Sequence, residues 1–571
     1  MGGTTPHSDE PLVDDAAAKS STGDNDFWVF RDGRKTFSGT KLLKELRESV
    51  CRLWDSDSNS TDLLNALIRA GELEAGLADA NSSAARRIAA LTDELAAASY
   101  GTPLDGGRVL SLVAASVPRQ VDISPPEGFS FYALHPLDFG RLALRVHVNK
   151  KPAAIIGIRS IGTTLSAVVR AALASTGIPA ERITVRPTGH PYHRKLTLSR
   201  AETAWIENQR SLGATFLVVD EGPGRSGSTF LSAAEALLET GVDHRRITLL
   251  GSRQPNLSQL CADDGARRWS AFQFESVDPD TQSRFQEYTY LGGGEWRNLF
   301  FRNKELWPAC WPQMERLKFL SLDRRRFWKF EGLGRVGDQV QTCNHILSRA
   351  KFSMMPDDGG GGFGSYPIIS GEPLHRGRLS PALLERFTHY LALRSVEFRV
   401  KDVSDDPLSQ MLTFNVQHEF GVEIGTLDDL ESSACVLTDS RMQPHEWIGT
   451  PEGTILKTDA CTHGDDHFFP GPCDIAWDLA GLAIEWELDA SEIDATLSLF
   501  HQLTGDVVTP RFPVYALAYS VFRIGCCRMA LSTVDADEAF RLRIASAGYR
   551  KQAQRWLQRV QARLGQVRIA S

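Results

Sequence analysis

The chain has 571 residues, of which 42% are hydrophobic and 23% charged; this is ordinary globular composition and more chain than one core accommodates. A formal charge of −8 at pH 7 weighs against a broad nucleic-acid or membrane-facing surface, since both need a basic face. Nine cysteines without CxxC or Cys/His zinc spacing fit free thiols in a reducing cytoplasm, and no uninterrupted apolar run reaches the roughly 18 residues of a membrane span.

Residues 1–28 are acidic and rich in Ser, Thr and Asp, which predicts a disordered tail rather than a signal peptide. From 29 to 100 the apolar residues recur at three- and four-residue spacing, as in "LLNALIRAGELEAGLADA", so a helical extension is expected. Between 101 and 276 the rhythm changes. "AAIIGIRS", "RITVRP", "TFLVVDE" and "RITLLGSR" are short apolar runs that alternate with amphipathic stretches such as "STFLSAAEALLETG", the pattern of an α/β domain around a parallel sheet. A Trp/Arg-rich segment over 277–316 reads as a connection. The region 317–571 opens with strand-like pieces, carries the loop "PDDGGGGFGSY" and turns helical after Ser380, so an α+β region with a helical C-terminal part is expected.

The run "FLVVDEGPGRSGSTFLSAAEALL" (216–238) ends a strand on two acids, Asp220 and Glu221, and opens the next helix with Ser226, Gly227, Ser228 and Thr229. N–H groups at a helix start attract anions, and glycine lets a phosphate approach the backbone. Two carboxylates beside that hole suit ribose hydroxyls, directly or through Mg²⁺. The same residues also fit a strand–turn–helix in which Gly and Ser only cap the helix.

"VVDEGPGRSGST" resembles the phosphoribosyl pyrophosphate (PRPP) signature of the type I phosphoribosyltransferases, with one extra turn residue and Glu in the second acidic place. In the same order, "IIGIRSIGTTLS" (155–166) is similar to the family's diphosphate loop, and "RPTGHPYHRKLTL" (186–198) stands where the family has a basic hood. The resemblance covers roughly residues 100–275. It implies that Asp220 and Glu221 hold the ribose and Mg²⁺, and that Ser226, Gly227, Ser228 and Thr229 hold the 5′-phosphate. It further implies that Arg159, Ser160, Gly162, Thr163 and Thr164 hold the diphosphate, and that Arg194 and Lys195, with Arg186, His190 and His193 nearby, close over the leaving group.

"RRFWKFEGLGRVGDQVQTCNHILSRAKFS" followed by "GGFGSYPIISGEPL" resembles the small lobe and hinge of the aminoglycoside-phosphotransferase/protein-kinase-like superfamily. That implies a bilobal kinase-like domain in which Lys329, at the end of a strand, meets ATP phosphates; the alternative is a merely exposed Lys at the end of an edge strand. Two alignments compete for the catalytic loop. One takes "HGDD" (463–466) with Asp465 as the base and Asp474 on the metal. The other, preferred because about twenty residues leave room for a β-hairpin, takes Asp439 as the base and Asp459 as the Mg²⁺ ligand, with Asp474 and Asp478 structural. The family's Asn would fall on Pro444, and no Glu follows Gly337 to pair Lys329. "HGDDHF" offers His463, Asp465, Asp466 and His467 to a metal but lacks a zinc signature.

The reading is a cytoplasmic bifunctional enzyme: phosphoribosyl transfer from PRPP to a small acceptor with Mg²⁺, and an ATP-dependent phosphotransferase half. The alternative is a PRPP- or nucleotide-sensing protein with a degenerate pseudokinase. Expected partners are small molecules, not membrane or nucleic acid; self-association stays open.

Overall fold

Strands buried at nearly every position, such as the AAIIGI run, belong in a sheet covered on both faces, and three such strands form the centre of a five-stranded sheet whose two edge strands are more exposed. β1 (Ala153–Ile158), β2 (Ala180–Val185), β3 (Thr215–Val219), β4 (Ile247–Gly251) and β5 (Gln273–Ser276) are all parallel, in the order β2-β1-β3-β4-β5. The chain leaves β1 for β2 on one side, then returns to lay β3 on the other. The crevice between the carboxyl ends of β1 and β3 is therefore the switch point where ligands of such sheets bind. The computed structural model describes the chain apart from residues 1–26, 32, 56–59, 148–149, 191, 225, 378, 401–407, 425–433 and 571.

Helices α1 (Ser60–Asp79), α2 (Glu127–Ser130), α3 (Ile161–Ser175) and α4 (Ser228–Glu239) frame this sheet. Leu67, Ala70, Leu73 and Leu77 of α1 share a core with Ala167, Val168 and Ala171 of α3. The approach is close enough that a Cβ on Gly71 would lie 2.0 Å from Thr164 Oγ1. The predicted N-terminal helices thus pack directly on the sheet's own helix layer.

A second sheet is antiparallel: β6 (Thr289–Tyr290), β7 (Lys318–Leu320), β8 (Arg326–Phe330), β9 (Asp357–Asp358) and β10 (Phe363–Pro367), in the order β9-β10-β8-β7-β6. β8 is the centre strand, which removes the alternative of an exposed Lys329 at the end of an edge strand; Lys329 faces Lys318 on β7 and Gly364 on β10. Helix α5 (Gly334–Arg349) follows. A three-stranded sheet of β11 (Glu372–Pro373), β12 (Trp447–Gly449) and β13 (Ile455–Lys457) contains the hairpin expected between Asp439 and Asp459.

The chain divides into two compact units, one made of residues 34–379 and 441–463, the other of 1–33, 380–440 and 464–571. Both large sheets lie in the first unit, so the expected connection at 277–316 separates no units. The physical reason is a shared core: Phe129, Phe139 and Ile155 cluster with Phe285, Phe330, Leu333 and Phe363. Phe285 also stacks on Phe319 at 4.5 Å.

The second unit is helical, including α6 (Pro381–Glu397), α7 (Ala476–Glu485) and α8 (Phe512–Leu531). By length and composition α8 is long and apolar enough to cross a membrane although Arg523 and Arg528 interrupt its apolar run, yet its Tyr515, Leu517, Tyr519 and Ile524 are buried within the unit. Phe27 and Val29 are buried too, and Phe30 pairs with Phe468, so folded chain begins inside the expected 1–28 tail; residues 1–26 of that tail lie outside the described residues.

Candidate functional site

Asp220 and Glu221 follow β3 directly and sit at the switch point. Asp220 Oδ1 accepts the Glu221 N–H at 2.9 Å, and Glu221 Oε2 accepts the Gly128 N–H of α2 at 3.1 Å. Burial pushes Asp220 up to about 7, against the pull of the Glu221 N–H and of Arg186 and Arg194. Burial, reinforced by the Asp220 charge, likewise lifts Glu221 to about 7, while the Gly128 N–H and Arg253 oppose the rise. Two carboxylates that resist ionising side by side are what a divalent cation would relieve. Among the described residues no group of three or more His, Cys, Asp and Glu side chains could hold a metal. Mg²⁺ takes one or two carboxylates and completes its shell with water and substrate phosphate.

The predicted phosphate loop lies next to this pair. Gly227, at φ +68°, leads into α4, whose first backbone bond runs from the Leu231 N–H to the Gly227 carbonyl. The N–H groups before it point out of the helix end. Ser226 Oγ accepts the Ser228 N–H at 3.2 Å and lies 3.0 Å from Ser228 Oγ; the Thr229 carbonyl accepts from Ser232.

On the facing loop, Ser160 adopts φ +103°, an uncommon conformation for a residue with a Cβ. Thr163 Oγ1 is buried with no hydrogen-bond partner. Gly162 fits closely against the end of β3, since a Cβ there would lie 2.5 Å from the Val219 carbonyl oxygen. Two of the predicted donors are occupied otherwise. Thr164 packs its hydroxyl against Gly71. Arg159 donates to Asp79 at 3.2 Å and to the Thr184 carbonyl at 3.1 Å, which ties it to α1 and β2.

The basic loop is a small hairpin in which Thr188 and Lys195 exchange backbone bonds at 2.9 and 2.8 Å. Arg194 is half-buried and close enough to act on Asp220, whereas Lys195 is exposed. Arg186 also acts on Asp220 but is held by Asp79 at 2.5 Å. His193 Nδ1 lies 3.1 Å from Asp263, and His190 is exposed. The structure thus gathers Asp220, Glu221, Arg186 and Arg194 around one crevice.

A second constellation in the same unit surrounds Lys329, which is 5% exposed. Its ammonium donates to Asp459 and, at 3.1 Å, to Thr462 Oγ1; Thr462 in turn donates to Asp459 at 2.7 Å. Asp459 follows the β12–β13 hairpin at φ +50°. Burial works against its charge, but Lys329, His463 (3.4 Å away) and Lys318 together hold it well below the usual carboxylate range. Glu446 is drawn the other way: burial raises it, the Asp459 charge adds to that, and Lys457 opposes. Lys318, opposite Lys329, gains Glu315 at 3.6 Å, which offsets the repulsion expected of like charges in register.

Asp439 departs from its expected role as catalytic base. It has no exposed surface. Its carboxylate accepts from Tyr390 OH at 2.5 Å, and its N–H, with that of Ser440, donates to Asp478 at 2.7 and 2.9 Å. Arg394 donates to Tyr390 and closes this buried network of the helical unit. Burial and the Asp439 charge raise Asp478 to about 6 against the pull of Arg394 and the two N–H groups. A carboxylate enclosed in this way is not presented to an acceptor. The rival loop is structural as well: Asp465 bonds Arg31 at 2.5 Å, Asp466 accepts the Phe468 N–H, and Asp474 grips Arg511 at 2.9 Å.

Sequence reasoning named Glu446, with His445, as a stand-in for the kinase family's Asn, but did not find Asp79, Gly128, Arg253, Arg316 or Thr462. Asp79, Gly128, Arg253 and Arg316 come from elements away from the motifs they serve, so no local pattern marks them, whereas Thr462 stands three residues after Asp459 and only its bonds to Lys329 and Asp459 mark it.

No family model matches the chain, and no curated protein does. Solved structures resembling it include choline kinase LicA from Streptococcus pneumoniae, at 15% identity over 41% of this chain and 89% of that one, with a TM-score of 0.27. An ethanolamine kinase from Plasmodium vivax aligns at 12% identity over 42% and 81% of the two chains, TM-score 0.28. A choline/ethanolamine kinase family protein from Mesorhizobium loti aligns at 14% over 43% and 89%, TM-score 0.27. At these scores the likeness carries no functional argument.

Proposed function

We propose that this chain transfers a phosphoribosyl group from PRPP to a small nucleophile at the β1/β3 crevice, and that Lys329 and Asp459 form a nucleotide-binding site in the same unit. The observation carrying this reading is the half-buried Asp220–Glu221 pair at the end of β3, its carboxylates held by the Glu221 and Gly128 N–H groups, lifted to about 7 by desolvation and faced by Arg194. Mg²⁺ bound there would keep both carboxylates ionised and neutralise diphosphate charge. Asp220 and Glu221 orient the ribose hydroxyls, and the start of α4 receives the 5′-phosphate. The nucleophile bonds to ribose C1 as the C1–O bond breaks. Diphosphate leaves with the electron pair, and the nucleophile sheds its proton. Charge develops on the leaving diphosphate, so Arg194 and the buried Thr163 hydroxyl act where electrostatic stabilisation counts most. The Asp220→Ala/Glu221→Ala variant should keep its fold and lose both Mg²⁺-dependent PRPP binding, measured by calorimetry, and diphosphate release in an acceptor screen. Unchanged PRPP affinity would remove the assignment.

For the kinase-like half, the geometry favours binding without phosphoryl transfer. In the kinase pattern H-R-D-L-x-x-x-N the metal-binding Asn follows the base by five residues. The acidic residue electrostatically coupled to Asp459 is Glu446, and five residues before it stands Arg441, a cation in the base's place. With Asp439 enclosed two residues earlier, this half is read as a nucleotide sensor.

A further inference from the structure

The segment around α2 joins the two constellations. Gly128 donates its N–H to Glu221 at 3.1 Å. It has no room for a side chain, since a Cβ would lie 2.9 Å from the Glu221 carboxyl carbon and 2.9 Å from Ile161 Cδ1. One residue on, the Phe129 carbonyl accepts the Leu333 N–H of the glycine turn at 2.9 Å. The Ser130 carbonyl accepts from Arg316 at 2.9 Å.

Arg316 is 5% exposed. Its other terminal nitrogen donates to the Thr462 carbonyl at 2.8 Å, and its guanidinium lies 5.2 Å from the centre of the Phe131 ring. Thr462 is the residue whose hydroxyl bridges Lys329 and Asp459. One rigid, planar cation therefore ties the backbone turn that grips Glu221 to the backbone turn that sets the Lys329–Asp459 pair. Gly332 closes the contact from the other side: at φ +118°, a Cβ on it would lie 2.8 Å from the Ser130 carbonyl oxygen.

We infer that Arg316 is a positioning residue through which occupancy of the Asp220/Glu221 site changes nucleotide affinity at Lys329/Asp459, and the reverse. This rests on the two-site reading above. A cation drawn to Glu221 competes with Gly128 for its carboxylate, and a nucleotide phosphate drawn to Lys329 competes with Thr462 and Asp459. Both events pull on α2 and its Arg316 brace, so a shift of that turn made by one ligand alters the contacts open to the other, which is the condition for coupling. Linkage requires the effect to be reciprocal.

The test is calorimetry of a non-hydrolysable ATP analogue with Mg²⁺, with and without saturating PRPP, and then of PRPP with and without the analogue. In the wild-type chain each ligand should change the other's Kd by the same factor, at least about fivefold. In Arg316→Ala each ligand should still bind alone, while the coupling factor falls to about one; Arg316→Lys, keeping the charge and part of the bonding, should restore some of it. A purely structural arginine would instead lower melting temperature with coupling intact, and that result overturns its role. Identical Kd values with and without the second ligand in the wild type overturn the coupling but spare the two sites. Failure of either ligand to bind the wild type overturns the coupling together with the reading beneath it. If Arg316→Ala does not fold, the wild-type ratio still decides the coupling, and Arg316→Lys decides its route.

Discussion

The acid pair makes a quantitative prediction about pH. In the ligand-free chain Asp220 and Glu221 both sit at about 7, so at pH 7 they hold about one proton between them. Mg²⁺-PRPP needs both ionised. Taking each group at 7, the doubly ionised fraction falls about a hundredfold from pH 8 to pH 6, and affinity should follow it. Repulsion within the pair spreads this into two macroscopic steps without removing it. The ligand's own phosphates titrate nearby, at about 6, so the informative quantity is the difference from Asp220→Asn. One titrating carboxylate remains there, and the protein's share of the fall should shrink to about tenfold. Calorimetry at each pH, in buffers of low and high ionisation enthalpy, gives both Kd and protons released; at pH 7 the wild type should release more protons than the variant by about half of one. Parallel pH profiles for the two proteins would refute the electrostatic account of the site. The linkage also has a sign for stability. Both folded values lie above the unfolded ones, so the contribution is intact below about pH 4 and is lost as pH rises through about 7. Ligand-free Asp220→Asn should therefore gain melting temperature over wild type at pH 8 and not at pH 4.

Arg194→Ala should lower kcat by about 10²–10³ with a smaller change in PRPP affinity, because it faces charge that grows in the transition state; exposed Lys195→Ala should cost less, and steady-state kinetics on both separates them. Lys329→Met leaves Asp459 without its nearest cation and should destabilise by about 3–5 kcal/mol in urea unfolding; adding Asp459→Asn should recover much of that stability but not nucleotide affinity, and equal loss of stability in the double variant would refute the pairing. Asp478→Ala strands the Asp439 and Ser440 N–H groups and should cost on the order of 3 kcal/mol, whereas Asp439→Asn should leave nucleotide affinity unchanged; a nucleotide affinity that falls with Asp439→Asn would return that residue to the site.

How much of this was legible in the sequence depended on range. β1, β3 and β4 announce themselves, because strands covered on both faces need unbroken apolar runs, and the acids that end β3 follow from where that run stops. Strand order is not local information. Lys329 sits in "RRFWKF", which reads equally well as edge or centre, and only its pairing with both β7 and β10 decides. Asp439 has the polar neighbours of a loop residue, and its burial comes from Tyr390 and Asp478, which lie 49 and 39 residues away in sequence. The segment 277–316 looked like a connection because its Trp and Arg residues follow no period. Its last residue, Arg316, satisfies backbone carbonyls rather than lining a helix face or strand, and that role leaves no periodic trace.

The same geometry explains why the two sheets share one core instead of sitting on a linker. Carboxylates at about 7 require a site poor in water, and an open loop at the end of β3 could not supply one. Glu221 is shielded on one side by the α2 turn, whose Gly128 donates its N–H to the carboxylate and leaves no room for a side chain between itself, Glu221 and Ile161. A four-residue helix has too few bonds of its own to stay in place. It is held from behind by Leu333 and Arg316, which belong to the second sheet's surroundings. The desolvation that tunes the first constellation is therefore maintained by residues that also build the second, and no cut between the sheets can leave the acid pair with its present electrostatics.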